Sequence, residues 1–136
     1  MSEKVALSFE EISNRLYSMD LPEVDRVVGI ATGGASAAVM VAHQLRKPMT
    51  MLYINFRAPD NSPQRPGPEL LQQPDLPDTP EHILLVDDVS VSGKTMNFAK
   101  SLLTGHQVTT FVLKGHADYV AFPTVASCVH WPWKPE

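Results

Sequence analysis

The segment from Ile83 to Thr95 constrains the fold of this chain more than any other stretch. It opens with four apolar residues, Ile83 to Val86, which predict a buried strand. Two adjacent carboxylates, Asp87 and Asp88, follow, and then comes a run of small residues. A helix is predicted from about Thr95 to Leu103. A strand, a small-residue loop and a helix in that order predict one unit of an α/β fold.

The rest of the chain continues this alternation of strands and helices. Further helices are predicted from the capping box at Ser8 to about Asp20 and over Ala35 to Leu45. Further strands are predicted over Val27 to Ala31, Met49 to Phe56 and Val108 to Leu113, with short strands or extended tail over Val120 to Phe122 and Ala126 to Trp131. Such alternation predicts a central parallel β-sheet flanked by helices. With 136 residues, of which 43% are hydrophobic, the chain fits a single domain over residues 1–136.

Residues 57–81 differ in kind from the rest. This proline-rich loop contains seven prolines, with polar residues between them. Because proline removes a backbone donor, no regular element is expected here beyond a short turn at Leu70-Leu71. A loop of this length inside a compact domain is typical of a functional, flexible segment.

The residues that follow the strand at Val86 suit one kind of ligand. In an open parallel sheet, ligands bind outside the carboxyl ends of the strands. Backbone N–H groups of a Ser/Gly/Thr loop at the start of a helix hold a phosphate well. That phosphate would repel Asp87 and Asp88 unless the two carboxylates contact hydroxyl groups or a metal ion. The segment therefore predicts a ligand with a phosphate at one end and a diol in the middle, as in a sugar phosphate.

Two other motifs share part of this pattern. Residues 92–95 are similar to the end of a Walker A loop, but Asp88 stands five positions before Gly93, where that motif requires glycine. Because a carboxylate there would oppose nucleotide phosphates, we reject this interpretation. Residues 84–88 are similar to the first strand of a receiver domain, but too little chain follows to complete that fold. A strand, an Asp-rich turn and a Ser-capped helix with no ligand are the plain alternative.

The full pattern from Ile83 to Thr95 resembles the signature of the type I phosphoribosyltransferases. The resemblance implies that Asp87 and Asp88 are catalytic residues, which hydrogen-bond the ribose hydroxyls of phosphoribosyl pyrophosphate (PRPP). It implies that the 5′-phosphate of PRPP is cradled by Ser90, Val91, Ser92, Gly93, Lys94 and Thr95. It also implies Mg²⁺ as cofactor, which Asp87 and Asp88 hold only indirectly, through the ribose of PRPP.

Other segments are similar to the same family. Thr32, Gly33 and Gly34 follow a strand and open a helix, as the family's pyrophosphate loop does. The proline-rich loop stands where the family has its flexible loop, which makes Arg57 and Arg65 candidate cations for the pyrophosphate. The base-binding residues implied by the resemblance are Lys114, His130 and Trp131. The tail from 114 to 136, with Trp131-Pro132-Trp133, resembles the small C-terminal hood of bacterial purine members of the xanthine-guanine type. The resemblance thus implies a homodimeric enzyme that transfers the phosphoribosyl group of PRPP to a purine-like nucleobase and releases pyrophosphate.

Three positions depart from the family pattern. Thr32 stands where purine-type members usually have a basic residue, and Val91 stands where 6-oxopurine enzymes usually have an aspartate. The tail ends in Lys134-Pro135-Glu136, with a different charge order from the usual acidic ending. These departures favour an alternative function, a non-catalytic regulatory protein that senses PRPP or a nucleotide on the same fold. A hydrolase or phosphorylase acting on ribose phosphates is a third interpretation.

Composition limits the expected partners and location. The formal net charge of −4 disfavours a nucleic-acid partner. Cys128 is the single cysteine, so no internal disulfide is possible, and we expect it to be a small buried residue in a reducing compartment. The N-terminus lacks a signal-peptide pattern, and the longest apolar stretch, Val27 to Ala42, is too short and too polar to span a membrane. We therefore expect a cytoplasmic protein without a membrane partner.

Overall fold

The computed structural model describes residues 5–55, 69–72, 74–125 and 128–134. Within these ranges the chain forms an α/β fold, as predicted. In chain order its elements are β1 (Val5–Ala6), α1 (Phe9–Ser18), β2 (Arg26–Ala31), α2 (Ala35–Leu45), β3 (Met49–Asn55), β4 (Glu69–Gln72), β5 (His82–Ser90), α3 (Lys94–Ser101), β6 (Gln107–Gly115), β7 (Tyr119–Val120) and β8 (Val129–His130).

The central sheet has six strands in the order β4-β3-β2-β5-β6-β7. The pairs β3·β2, β2·β5, β5·β6 and β6·β7 are parallel, and only the edge pair β4·β3 is antiparallel. The prediction of a central, mostly parallel sheet is therefore confirmed. The strand order also makes β2 and β5 direct neighbours at the centre of the sheet.

Two apolar layers cover the two faces of this sheet. Leu84 and Val86 of β5 pack in one layer with buried residues of α1 and α2. Ile83 and Leu85, which alternate with them, pack in the other layer with buried residues of α3. Side chains alternate between the faces of a strand, so a fully apolar run of this kind requires helices on both sides. This explains why the strand before the two carboxylates is continuously hydrophobic.

The prediction that residues 57–81 contain no regular element is wrong at Glu69–Gln72, where β4 forms instead of a turn at Leu70-Leu71. The register pairs Ile54 of β3 with Leu70. Between Pro68 and Pro74 the chain has no proline, so its N–H groups are available for pairing at the sheet edge. Leu70 packs against the α3-side core layer, which favours the strand over a turn. Residues 56–68 and 73 lie outside the described residues.

The helices differ in how they begin. In α1 the predicted capping box is present, because the Glu11 N–H donates to Ser8 Oγ at 3.0 Å and the Ser8 N–H donates to Glu11 Oε1 at 3.2 Å. In contrast, α2 begins after Gly34 and α3 after Gly93, and neither glycine offers a side-chain cap. At α3 the Lys94 N–H donates to Ser92 Oγ at 3.4 Å. The first N–H groups of a helix have no partner inside it. Both helices that follow central strands therefore begin at a glycine that provides no side-chain cap.

A second, two-stranded sheet joins the two ends of the chain. The register of this parallel pair places Val5 opposite Val129 and Ala6 opposite His130. Part of the segment predicted as a hood, Tyr119–Val120, instead pairs with β6 in the central sheet. The expectation that Cys128 is buried is wrong, because it is exposed beside this small sheet. Among the described residues, no helix combines the length and apolar character that a bilayer-spanning segment needs.

Candidate functional site

The candidate site lies where β2 and β5 end side by side. The two strands are parallel neighbours, with Gly29 paired to Val86, so the residues that follow them meet at one edge of the sheet. This arrangement brings the turn at Thr32–Gly34 next to Asp87 and Asp88. The sequence predicted both segments from their local patterns, and the strand order brings them together.

The strand β5 is longer than predicted, because it continues past Val86 to Ser90. Its last pair joins Ser90 to Gly115 of β6. Gly115 has a φ of 115°, and a Cβ added there would overlap the Ser90 carbonyl. Only glycine permits this close approach. Asp87 and Asp88 therefore stand within a paired strand rather than at the start of a loop, which gives them a rigid backbone.

The two carboxylates are largely buried and are oriented by backbone bonds. Asp87 is 7% exposed and Asp88 is 9% exposed. The Asp88 N–H donates to Asp87 Oδ1 at 2.8 Å, and the Val89 N–H donates to Asp88 Oδ1 at 2.7 Å. Each carboxylate thus accepts a bond from the backbone that follows it. Such bonds hold the pair in a defined orientation toward the sheet edge.

Burial raises the pKa of Asp87 well above its usual value, because removal from water disfavours the charged form. The neighbouring Asp88 raises this pKa further by repulsion, whereas the positive charge of Lys134 lowers it. Two adjacent negative charges are therefore unfavourable in the ligand-free site. A ligand that offers hydroxyl donors or a cation would stabilise the charged pair.

The glycine turn packs directly on the carboxylate pair. A Cβ added to Gly33 would lie 3.0 Å from Asp88 Oδ2, and one added to Gly34 would lie 2.8 Å from Asp87 Cα. The Ala31–Thr32 peptide bond at the start of the turn is cis, and Thr32 is exposed. A side chain at Gly34 would therefore overlap backbone atoms, and a methyl group at Gly33 would fit only if the Asp88 carboxylate moved. The turn and the carboxylates consequently form one continuous surface.

The segment after β5 presents backbone donors to the same edge. Ser90 is buried, whereas Val91, which is 74% exposed, and Ser92 face solvent. Gly93 adopts a φ of 81°, and α3 begins directly after it, with the Asn97 N–H donating to Gly93 O at 2.8 Å. The N-terminus of a helix carries a partial positive charge. An uncapped N-terminus with small neighbours is suited to bind a phosphate group.

The C-terminal tail returns to this edge of the sheet. Trp131 is only 3% exposed and stacks on Trp133, with ring centroids 5.5 Å apart and planes at 1°. Beyond them, Lys134 Nζ lies 3.9 Å from Asp88 Oδ2. The sequence marks Lys134 as a departure from the usual acidic ending of the family but does not predict that it lies in the site. No local pattern could have done so, because the contact spans the distance from β5 to the tail.

The remaining predicted residues are placed as follows. Lys114, near the end of β6, is in register with Val89 of β5, so it lies near the same edge. His130 is partly buried in β8, which pairs with β1 in the two-stranded sheet and not with the central sheet. The burial of Trp131 leaves its ring little surface to offer to a base. Arg57 and Arg65 lie outside the described residues.

The described residues contain no group of three or more His, Cys, Asp or Glu side chains that could hold a metal ion. Asp87 and Asp88 are two hard oxygen ligands, too few for a resident site. Mg²⁺ commonly binds through one or two carboxylates together with substrate phosphates and water. The carboxylate pair therefore fits a magnesium ion that arrives with a phosphorylated ligand.

Comparisons with known proteins agree with this geometry. The family model described as "Phosphoribosyl transferase domain" matches residues 6–119. Comparison with curated proteins gives no match. Among solved structures, the chain is similar to a purine phosphoribosyltransferase from Pyrococcus horikoshii, with a TM-score of 0.78 and 23% identity over 98% of this chain and 95% of that chain.

Two further structures share the fold at lower identity. A Neisseria gonorrhoeae protein with bound ppGpp has a TM-score of 0.71 and 20% identity, over 99% of this chain and 91% of that chain. A Helicobacter pylori xanthine-guanine-hypoxanthine phosphoribosyltransferase has a TM-score of 0.69 and 12% identity, over 98% of this chain and 93% of that chain. At these identities the likeness shows the fold alone.

Proposed function

The chain belongs to the phosphoribosyl transferase domain family, and we propose that it transfers the phosphoribosyl group of PRPP to a purine-like nucleobase, with release of pyrophosphate. One observation carries the proposal. The two helices that follow the central strands, α2 and α3, both begin at glycines without side-chain caps, on either side of the buried carboxylates Asp87 and Asp88. This arrangement suits a ligand with phosphates at both ends and hydroxyls between them.

The 5′-phosphate of PRPP is assigned to the N-terminus of α3. Its ligands in this proposal are the backbone N–H groups and hydroxyls of the segment that runs from Ser90 through Val91, Ser92, Gly93 and Lys94 to Thr95. Gly93 supports this assignment, because it has no side chain to cap the helix and its positive φ directs the chain into the first turn of α3. The one side-chain bond at this helix start, from the Lys94 N–H to Ser92 Oγ, is long at 3.4 Å, and an anion could replace it.

The ribose hydroxyls are assigned to Asp87 and Asp88. A hydroxyl donor stabilises the charged form of a carboxylate, so ribose binding would offset the burial and the repulsion by Asp88 that raise the pKa of Asp87. In the same proposal the rigid backbone of β5 positions the anomeric carbon for attack. The contribution of these residues to catalysis is orientation and electrostatic stabilisation.

The diphosphate is assigned to Thr32, Gly33 and Gly34 at the N-terminus of α2. The two glycines let the ligand approach the backbone closely, and the helix N-terminus favours negative charge. Mg²⁺, when bound with PRPP, neutralises negative charge on the pyrophosphate leaving group. Arg57 and Arg65 of the proline-rich loop are proposed as further cations for this group.

The acceptor base is assigned to the space bordered by Lys114, His130 and the tail that contains Trp131. The purine preference rests on the family resemblance of the C-terminal segment and on the purine enzymes among the similar structures. We also propose that the protein forms a homodimer, on family resemblance alone. The single cysteine of the chain supports a reducing compartment, and we propose that this is the cytoplasm.

The test is calorimetric titration of PRPP with Mg²⁺, followed in the same preparation by a nucleobase panel scored for pyrophosphate release. Binding together with release on one base establishes the transferase and identifies its acceptor. Release of pyrophosphate with water alone would instead favour hydrolysis. No binding of PRPP would refute the assignment of the site.

A second candidate function is a non-catalytic protein that senses PRPP or a nucleotide. Two observations favour it: Thr32 brings no positive charge to the glycine turn, and Val91, three residues after Asp88, is an exposed apolar side chain. The similar structure from Neisseria gonorrhoeae was solved with bound ppGpp, a guanine nucleotide that carries diphosphate groups. Tight binding of PRPP or ppGpp without pyrophosphate release on any base would support this function over transfer.

A further inference from the structure

The side chain of Lys134 brings a positive charge from the C-terminal tail to the carboxylate pair. Its Nζ lies 3.9 Å from Asp88 Oδ2. The same oxygen would lie 3.0 Å from a Cβ added to Gly33. The ammonium group and the glycine turn are therefore both close neighbours of one carboxylate oxygen.

The position of Lys134 is fixed by the packing of the tail. Its N–H donates to Trp131 O at 3.1 Å, which closes a turn around Pro132. Trp131 is buried in the core layer that contains α1 and α2. Trp133 stacks on Trp131 and also contacts Phe9 of α1, with ring centroids 6.0 Å apart. The tail thus holds the base of the Lys134 side chain against the body of the protein.

The ammonium group retains capacity for a ligand. A separation of 3.9 Å from Asp88 Oδ2 exceeds the length of a hydrogen bond, so the two groups attract each other without using a donor. The lysine side chain is 55% exposed, and an ammonium group has three N–H donors. Lys134 can therefore donate to an anion at the glycine turn while it remains beside Asp88.

The charge balance of the site favours a protein cation at this position, in addition to Mg²⁺. PRPP brings a diphosphate close to Asp87 and Asp88, and Thr32 at the turn carries no charge to offset it. Like charges at this separation oppose binding, and the cost is greatest where water is excluded. A cation placed between the carboxylates and the diphosphate removes this opposition.

We propose that Lys134 is a ligand-binding residue of this site and that its ammonium group contacts the diphosphate of PRPP. This inference rests on the proposed function only in that PRPP is the ligand; it does not require turnover. A residue that only orients Asp88 would affect the binding of every ligand that carries the ribose equally. A lysine that contacts the diphosphate affects only ligands that carry the diphosphate.

The test is calorimetry with three probes in the presence of Mg²⁺: PRPP, inorganic pyrophosphate and ribose 5-phosphate, which lacks the diphosphate. The variant Lys134→Met removes the charge and keeps most of the length of the side chain. Lys134→Arg retains a charge. Lys47→Met is the matched control for net charge. Lys47 lies between α2 and β3, at the amino-terminal end of β3, whereas the site lies at the carboxyl ends of the strands.

We expect Lys134→Met to weaken PRPP and pyrophosphate binding by roughly 10- to 100-fold, the loss typical of one charged hydrogen bond. Ribose 5-phosphate binding should stay within about twofold, Lys134→Arg should retain most of the affinity for PRPP, and Lys47→Met should bind like the wild type. Equal losses for PRPP and ribose 5-phosphate, or no loss for PRPP, overturn the proposal.

Failure of the proposed function gives a different result. If the wild-type protein binds PRPP but releases no pyrophosphate on any base, the transferase assignment is wrong. The role of Lys134 in binding the diphosphate is still tested by the calorimetric comparison of its variants. A wild-type protein that binds neither PRPP nor pyrophosphate refutes both.

Discussion

Replacement of Gly33 by alanine tests whether the glycine turn and the carboxylates act as one site. The added Cβ would lie 3.0 Å from Asp88 Oδ2, 3.1 Å from Oδ1 and 3.2 Å from Cγ. All three contacts are tighter than ordinary van der Waals distances. The neighbour that must move is a side chain rather than backbone, so we expect the carboxylate to shift by a few tenths of an ångström while the fold persists.

The expected loss of PRPP affinity depends on the hydrogen bonds that a shift of the Asp88 carboxylate would disrupt. Asp88 Oδ1 accepts the Val89 N–H at 2.7 Å, and this bond must lengthen or rotate. In the proposed function the same carboxylate accepts a ribose hydroxyl, and loss of one charged hydrogen bond costs about 1.5 to 3 kcal/mol. PRPP affinity should therefore fall by roughly 10- to 150-fold. The free energy of unfolding should change by no more than about 1.5 kcal/mol, because Gly33 does not need a positive φ and alanine restricts the unfolded chain.

The assay combines calorimetric titration of PRPP and Mg²⁺ with urea unfolding of the ligand-free protein. Gly105→Ala is the matched control, because Gly105 precedes β6 at the opposite edge of the sheet and a Cβ there meets nothing within 4 Å. This control should lose some stability, since Gly105 has a φ of 93°, but should bind PRPP normally. Unchanged PRPP affinity in folded Gly33→Ala would show that the glycine turn and the carboxylates do not act as one site. A loss of stability above about 3 kcal/mol would show that the Asp88 side chain cannot make room for the methyl group.

Three further predictions test other parts of the structure. Gly115→Ala should destabilise the fold by about 3 kcal/mol or more, measured by urea unfolding, because its Cβ would overlap the Ser90 carbonyl at a φ of 115°; a stable variant would contradict the close approach of β5 and β6. Asp87→Asn should gain stability over the wild type in the ligand-free protein as the pH rises above the usual aspartate pKa of about 3.9, because between that pH and the raised pKa of folded Asp87 the unfolded wild type loses this proton while the folded protein keeps it, which lowers the free energy of unfolding of the wild type; parallel stability curves from about pH 4 to about pH 8 would count against this. Thr95→Trp should abolish PRPP binding in calorimetry while the unfolding temperature stays near that of the wild type, because Thr95 lies on the partly exposed first turn of α3; binding at unchanged affinity would show that the phosphate site is wrongly assigned.

The elements that surround the site could be predicted because their signals are local. The capping box at Ser8, the helix over Ala35–Leu45 and the apolar strand before Asp87 each follow from residues within a few positions of one another. The carboxylate pair and the Gly33-Gly34 turn were recognised in the same way. A parallel α/β order then constrains both segments to one edge of the sheet.

Local signals were misleading where a distant partner decides the outcome. The prolines around Glu69–Gln72 predicted a loop, but pairing with β3 and burial of Leu70 make a strand. The carboxylates predicted the end of β5, but pairing with β6 extends it to Ser90, which the missing side chain of Gly115 permits. Cys128 is exposed although cysteine is usually buried, because it pairs through its backbone with Val5 of β1, a strand that is itself exposed.

Local sequence patterns are enough to define the alternation of strands and helices, the buried apolar strand and the two glycine-led helix starts, because each depends on backbone preferences and periodicity within one segment. In contrast, the stacking of Trp131 on Trp133 and the position of Lys134 beside Asp88 emerge only when the chain is folded. Those contacts join residues far apart in the chain, and their geometry depends on how the tail packs on α1 and on the small sheet at the chain ends. The charge balance of the site is therefore a property of the fold, whereas the types of residue that form it are a property of the sequence.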